Sequence, residues 1–224
     1  MEKPRVERKH KNFVAALSDE ELRTLTQRGR TRRFRRGQTL LGQGETSDRL
    51  ILIRAGRVKV AVVDEDGREA VLAMRGAGEI VGEQAALDGE PRSATVTAVE
   101  EVEALLVEAA DFDAAAETHP RLLSLLSATV THRMRTADRK RVEAAWLDVP
   151  ARIARTLLEL ADAIGERTEG GGVILPLSQR ELAGCVGASR EAVTRALQQL
   201  HERNVVATSR RRLAILDLEA LRTA

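Results

Sequence analysis

The chain has 224 residues, 43% of them hydrophobic and 31% charged, with a formal net charge of only +2. That length accommodates one or two domains with a sizeable core, while a single cysteine, Cys185, excludes a disulfide framework and a thiolate set for an iron–sulfur cluster. The absence of Tyr, with one Trp and three Phe, leaves no stacking platform for single-stranded bases; no apolar run approaches spanning length, so a soluble cytoplasmic protein with no membrane partner is expected.

The small net charge hides a strong asymmetry. Residues 1–36 carry 12 Lys/Arg against 5 Asp/Glu, residues 37–112 carry 7 against 15, and residues 174–213 carry 7 Arg against 3 Glu. A polyanion is expected to dock on the basic C-terminal stretch, whereas a small anion in the acidic middle must be held by local groups.

From Phe34 to about Val107 the chain reads as short strands: Leu50 to Ile53, Val58 to Val63, Ala70 to Met74 and Ala94 to Val99. Glycines separate them, and Asp66-Gly67 is a hairpin signal. Many short strands at regular spacing predict a roll or barrel. A metalloenzyme on such a roll needs inward histidines, and His10, His119, His132 and His201 all lie outside this segment. The expectation is a binding barrel, not an enzyme, with no metal site.

Within the roll, Gly82-Glu83-Gln84 and, nine residues on, Arg92-Ser93-Ala94 read as a cradle for a single phosphate. Gly82 lets backbone amides turn inward, Arg92 supplies charge and Ser93 a hydroxyl donor. Glu83 is suited to accept from a ribose hydroxyl, so the pair suggests a small nucleotide. The competing reading is an ordinary loop in which Arg92 pairs with Glu83 or Glu90.

Helical periodicity begins near Asp111, and Leu123, Leu126, Val130, Met134, Ala137 and Arg141 form a narrow seam. Such a stripe packs either on a partner helix in a symmetric dimer or on its own barrel. Asp148-Val149-Pro150 then caps a new helix from Val149 to Ile164, and Glu169 to Gly172 is a loop.

Ser178 with Glu181 makes a capping box that starts a helix at Gln179, Gly187 ends it, and Ser189 caps the next. A short helix, a turn containing Gly and a second helix form the helix-turn-helix pattern. On the second helix Val193, Ala196, Leu197 and Leu200 share one side, and Glu191, Thr194, Arg195 and Gln198 the other, with Arg190 at its flank. Arg suits guanine O6/N7 and Glu suits cytosine N4; the alternative is a solvated polar face. Asn204 to Leu216 reads as a hairpin with Arg210-Arg211-Arg212 at its tip, a wing able to touch phosphates.

In this order, these segments resemble the cyclic-AMP receptor protein and fumarate–nitrate regulator (Crp/Fnr) family of bacterial transcription factors, from about Phe13 to Leu213. Gln43-Gly44-Glu45, Asp64 to Glu69, the Gly82 to Ala94 cassette, Leu147-Asp148-Val149 and Val186 to Arg195 carry the resemblance. It implies an α+β fold: a β-roll sensor domain (1–115), a long dimerisation helix (116–146) and a winged helix-turn-helix (147–224). It also implies a homodimer without prosthetic group, controlled by cyclic AMP, with cyclic GMP as a possible effector. Gly82, Glu83, Arg92 and Ser93 would hold ribose and cyclic phosphate. Arg190, Glu191 and Arg195 would read the major groove of palindromic double-stranded DNA with TGTGA-like half-sites, with Ser178, Arg180, Ser189, Arg210 and Arg211 as further DNA contacts and RNA polymerase as a further partner. The fumarate–nitrate branch's clustered cysteines are missing. The adenine-contacting positions of the cyclic-AMP branch fall on Ala137 and Asp138, and an ionised Asp138 accepts from either adenine or guanine unless it pairs with Arg135, Arg141 or a partner-chain Arg. Two alternatives remain: the same fold binding DNA without ligand, or a nucleotide-binding module acting through protein contacts.

Overall fold

The computed structural model describes residues 12–67, 69–209 and 211–223. Contacts divide the chain into two units: Met1–Val63 with Arg75–Ala137, and Asp64–Met74 with Asp138–Ala224. The fold is α+β, with an N-terminal β-roll, a long helix and a C-terminal winged helix-turn-helix.

The first unit opens with α1 (Phe13–Ala16) and α2 (Asp19–Arg28), which sequence reasoning left unassigned although Ser18 and Glu21 form a complete capping box. One sheet then runs β1–β8–β3–β6, built from β1 (Arg30–Phe34), β3 (Leu50–Ala55), β6 (Ile80–Val81) and β8 (Val102–Val107). The other runs β2–β7–β4–β5, built from β2 (Thr39–Leu41), β4 (Val58–Val63), β5 (Glu69–Arg75) and β7 (Thr95–Ala98). The roll begins at Arg30, earlier than Phe34. β1 is polar at four of five positions because it is an edge strand, held by backbone pairing to β8, and arginines there discourage further strand addition.

β3 shows why the sheets stack as they do. Its first four residues, Leu50-Ile51-Leu52-Ile53, are all buried, but alternate side chains point to opposite faces. Leu50 and Leu52 join Leu105, Val107, Phe13, Leu25, Phe112, Leu122 and Leu126 in a core shared with the helices. Ile51 and Ile53 join Phe34, Val58, Val96, Val102 and Leu106 in a second core that includes residues of both sheets. A strand buried on both faces reads as a continuous apolar run.

The expected long helix is two helices. α4 (Ala109–Thr118) stops at His119, and α5 (Arg121–Trp146) begins after Pro120, so residues 116–118 do not belong to the long helix. Pro120 lacks the N–H to continue α4 and disfavours helical backbone at His119. The seam is also corrected: Leu126 faces its own roll core, together with Leu122, whereas Leu123 and Met134 are exposed.

In the second unit, α6 spans Val149–Ile164 as expected, with Asp148 accepting from the Ala151 N–H. Its residues Ile153, Leu157, Leu160 and Ile164 are buried at three- and four-residue steps. The sheet order is β11–β12–β10–β9, from β9 (Glu166–Arg167), β10 (Val173–Leu175), β11 (Val206–Ser209) and β12 (Arg212–Ile215). α7 (Gln179–Val186) and α8 (Arg190–Glu202) form the helix-turn-helix, and α9 (Leu218–Arg222) closes the chain. No helix among the described residues is long and apolar enough to cross a membrane.

Candidate functional site

Gly82 takes φ +86°, left-handed backbone that favours glycine, and a Cβ there would lie 2.7 Å from the Arg49 carbonyl oxygen and 2.8 Å from Arg92 Nη1. Only glycine lets the chain pass that close before α3 (Glu83–Asp88), a helix sequence reasoning left as part of the cradle.

Arg92 is 4% exposed. Its Nε donates to Ser47 Oγ at 3.0 Å, Nη1 to the Gly82 carbonyl at 2.8 Å and Nη2 to the Arg49 carbonyl at 2.7 Å. Every one of these acceptors is neutral, and Arg92 forms no ion pair among the described residues. Neither Glu83 nor Glu90 pairs with it; Glu83 pairs with Arg133 instead. Burial pushes the guanidinium below its usual value, opposed by the negative field of Asp48. Carboxylates act on it only from beyond contact, and a buried guanidinium with no direct ion-pair partner can take an incoming anion as one. Ser93, exposed beside it, donates to Gln84 Oε1 at 2.6 Å.

Glu83 is buried and paired with a residue that sequence reasoning missed. Arg133 Nη1 lies 2.5 Å from Glu83 Oε1, and Arg133 Nη2 donates to the Ile80 carbonyl at 2.6 Å. The signal was present in the helical period: Leu122, Leu126, Thr129 and Arg133 recur at three- and four-residue steps, and the first three are buried. Arg75, held below its usual value by burial and then by Arg133, lies 3.4 Å from Glu79. Ser47 was also missed, since it is 45 residues from Arg92 in sequence. Asp138 is exposed on α5, 3.5 Å from Arg141, so of the alternatives left open for it the ion pair with Arg141 is the one seen.

In the second unit, Val193, Ala196, Leu197 and Leu200 are buried, while Arg190, Glu191, Thr194, Arg195 and Gln198 are exposed. The Glu191 carboxyl is held below the usual carboxylate range, first by its own backbone N–H, then by the Ser189 hydroxyl and the positive charges of Arg190 and Arg195. It is therefore an obligate acceptor at neutral pH. Thr194 donates to Gln179 Oε1 at 3.1 Å, bracing α8 against α7. Arg180 is exposed, and Arg211, with φ +62°, sits at the exposed turn of the wing. Arg210 lies outside the described residues.

Ser178 serves the helix rather than presenting a free donor. Its Oγ accepts from the Glu181 N–H at 3.2 Å and donates to Glu181 Oε2 at 2.7 Å. Ser189 likewise accepts from the Ala192 N–H at 3.2 Å. Ser178→Ala is expected to cost the second unit about 1 kcal/mol, read as a lower denaturant midpoint.

Comparison with known proteins agrees with this architecture. Residues 31–119 match the model of the cyclic nucleotide-binding domain, and residues 151–224 that of the Crp-like helix-turn-helix domain. The chain is 34% identical over 190 residues to the CRP-like cAMP-activated global transcriptional regulator of Mycobacterium tuberculosis, covering 84% of each chain. It is 34% identical over 169 residues to the cAMP-activated global transcriptional regulator CRP of Escherichia coli, covering 75% of this chain and 80% of that one. The crystal structure of a CRP-family transcriptional regulator from Thermus thermophilus superposes with a TM-score of 0.73 at 29% identity, covering 86% of this chain and 95% of that chain. The β-roll with its glycine-gated arginine cradle, the capped helix-turn-helix and these matches together place the chain in the Crp/Fnr family of transcription regulators.

Proposed function

We propose that the chain is a homodimeric regulator whose affinity for palindromic DNA is set by cyclic AMP bound in the β-roll. The observation that carries the reading is Arg92: a guanidinium 4% exposed whose three protein hydrogen bonds all go to neutral oxygens. The cyclic phosphate supplies a direct ion-pair partner, Ser93 a second donor, and Glu83, tethered by Arg133, an acceptor for the ribose hydroxyl. The relatives named for activation by cAMP favour that nucleotide over cyclic GMP.

Self-pairing through α5 is supported by its exposed Leu123 and Met134 and by Trp146, 82% exposed. In the dimer the two α8 helices would meet half-sites about 34–36 Å apart, the spacing established for helix-turn-helix dimers including this family. TGTGA-like half-sites follow from the family resemblance. Residues 163–172 are the surface proposed for RNA polymerase, by their position. Calorimetry of the purified protein with cyclic AMP and cyclic GMP, paired with retardation of a palindromic duplex with and without each nucleotide, tests the reading. Retardation identical in both conditions would overturn ligand control.

Asp138 is proposed as the residue that reads the base. Its exposed ion pair with Arg141 is weak and readily exchanged. Asp138→Ala is then expected to change the cyclic AMP to cyclic GMP affinity ratio by about tenfold, the worth of one charge-assisted hydrogen bond. An unchanged ratio would confine Asp138 to its pairing with Arg141.

A further inference from the structure

Ser93 has one hydroxyl proton, and it is committed. It goes to Gln84 Oε1 at 2.6 Å, so the second donor of the cradle is withheld from an incoming phosphate. The backbone just before Ser93 is tied on both sides: the Arg92 N–H donates to the Glu45 carbonyl at 3.0 Å and the Gly44 N–H to the Arg92 carbonyl at 2.8 Å. Arg92 spends three of its N–H groups on Ser47, Gly82 and Arg49, and a guanidinium carries five, so two remain beyond these contacts.

Gln84 is exposed, and rotation about its terminal torsion is a broad, roughly two-fold motion. Turning the amide over replaces its oxygen with an N–H. That N–H can donate to the Ser93 oxygen while the Ser93 hydroxyl donates to the phosphate, and a chain of donors in one direction polarises each member. A glutamate at this position could not do this, since an ionised carboxylate only accepts.

We propose that Gln84 is a positioning residue for the cyclic phosphate: it holds the Ser93 hydroxyl before the nucleotide arrives and, by turning its amide over, donates to Ser93 once that hydroxyl is given to the phosphate. The inference rests on the assignment of the cyclic phosphate to Arg92 and Ser93.

The test is a double-mutant cycle on the full chain, with cyclic AMP and cyclic GMP as calorimetric probes because both carry the same phosphate. Gln84→Met keeps the side-chain length and removes the amide. With Ser93 present it is expected to weaken both nucleotides about three- to tenfold, the range of one ordinary hydrogen bond. In a Ser93→Ala background the same substitution should change nothing. Gln84→Glu should weaken binding further than Gln84→Met, because it retains the Ser93 proton and adds a negative charge facing the phosphate. Equal losses from Gln84→Met in both backgrounds, or none in either, overturn the proposal. Arg92→Ala separates the two levels. If it abolishes binding while the Gln84 effect is independent of Ser93, only the role of Gln84 falls. If Arg92→Ala keeps full affinity, or the unaltered protein binds neither nucleotide, the phosphate assignment falls and this inference with it.

Discussion

Arg92→Ala will abolish the rise in melting temperature that cyclic nucleotide produces, and it will also lower the melting temperature of the unliganded protein. The two effects have different origins. In the proposed assignment the guanidinium meets the cyclic phosphate, and losing a charge-assisted bond in a buried site costs about 1.5–3 kcal/mol or more. The same group donates to the Gly82 and Arg49 carbonyls and to Ser47, joining the 47–49 segment to the start of α3. Its removal leaves those half-buried acceptors without their partner, at about 1–3 kcal/mol. Ligand at a hundred times its Kd stabilises a binding-competent protein by about 2.7 kcal/mol. Thermal melts across a nucleotide titration therefore separate the two: a lower baseline with no ligand dependence is expected. A full ligand-dependent shift in the variant would move the phosphate elsewhere.

Arg195→Ala and Arg211→Ala will weaken DNA binding in distinguishable ways. Arg195 is exposed on the polar face of α8, whose opposite face is anchored by Val193, Ala196, Leu197 and Leu200. A guanidinium there suits guanine O6/N7, so its loss should cost about 1–3 kcal/mol and relax preference at one base pair. Arg211 sits at the turn of the wing, where the proposed contacts go to phosphates. Its loss should weaken all sequences alike and make the slope of log affinity against log salt shallower by about one unit. Titrations of a palindromic duplex and of single-base variants at several salt concentrations check both. Unchanged base preference in Arg195→Ala would remove α8 from the major groove.

The elements that local chemistry dictates were readable from the sequence. The second domain is the clearest case: Asp148 and Pro150 mark the start of α6, the Ser178 and Glu181 capping box starts α7, and Gly187 with φ +67° ends it. Each is a short-range hydrogen bond or backbone preference, complete within four residues. Gly82 and Arg92 stood out by residue type, since glycine permits a left-handed turn and arginine supplies charge, but the hydrogen bond between them spans ten residues.

What tertiary structure alone decided involves partners far apart in the chain. β1 carries no alternating pattern and exists because β8 pairs with it, Arg30 with Leu106 through Phe34 with Val102. The seam of α5 divides because two surfaces compete for one helix: Leu122 and Leu126 are claimed by Phe112 and the roll core, while Leu123 and Met134 stay exposed. Arg133, Ser47 and Gln84 entered the candidate site only when the fold brought them to Glu83, Arg92 and Ser93. The sequence names the residues able to meet a phosphate. Only the folded chain decides which hydrogen bonds they already make, because a guanidinium or a hydroxyl bonds to whichever partner the packing supplies.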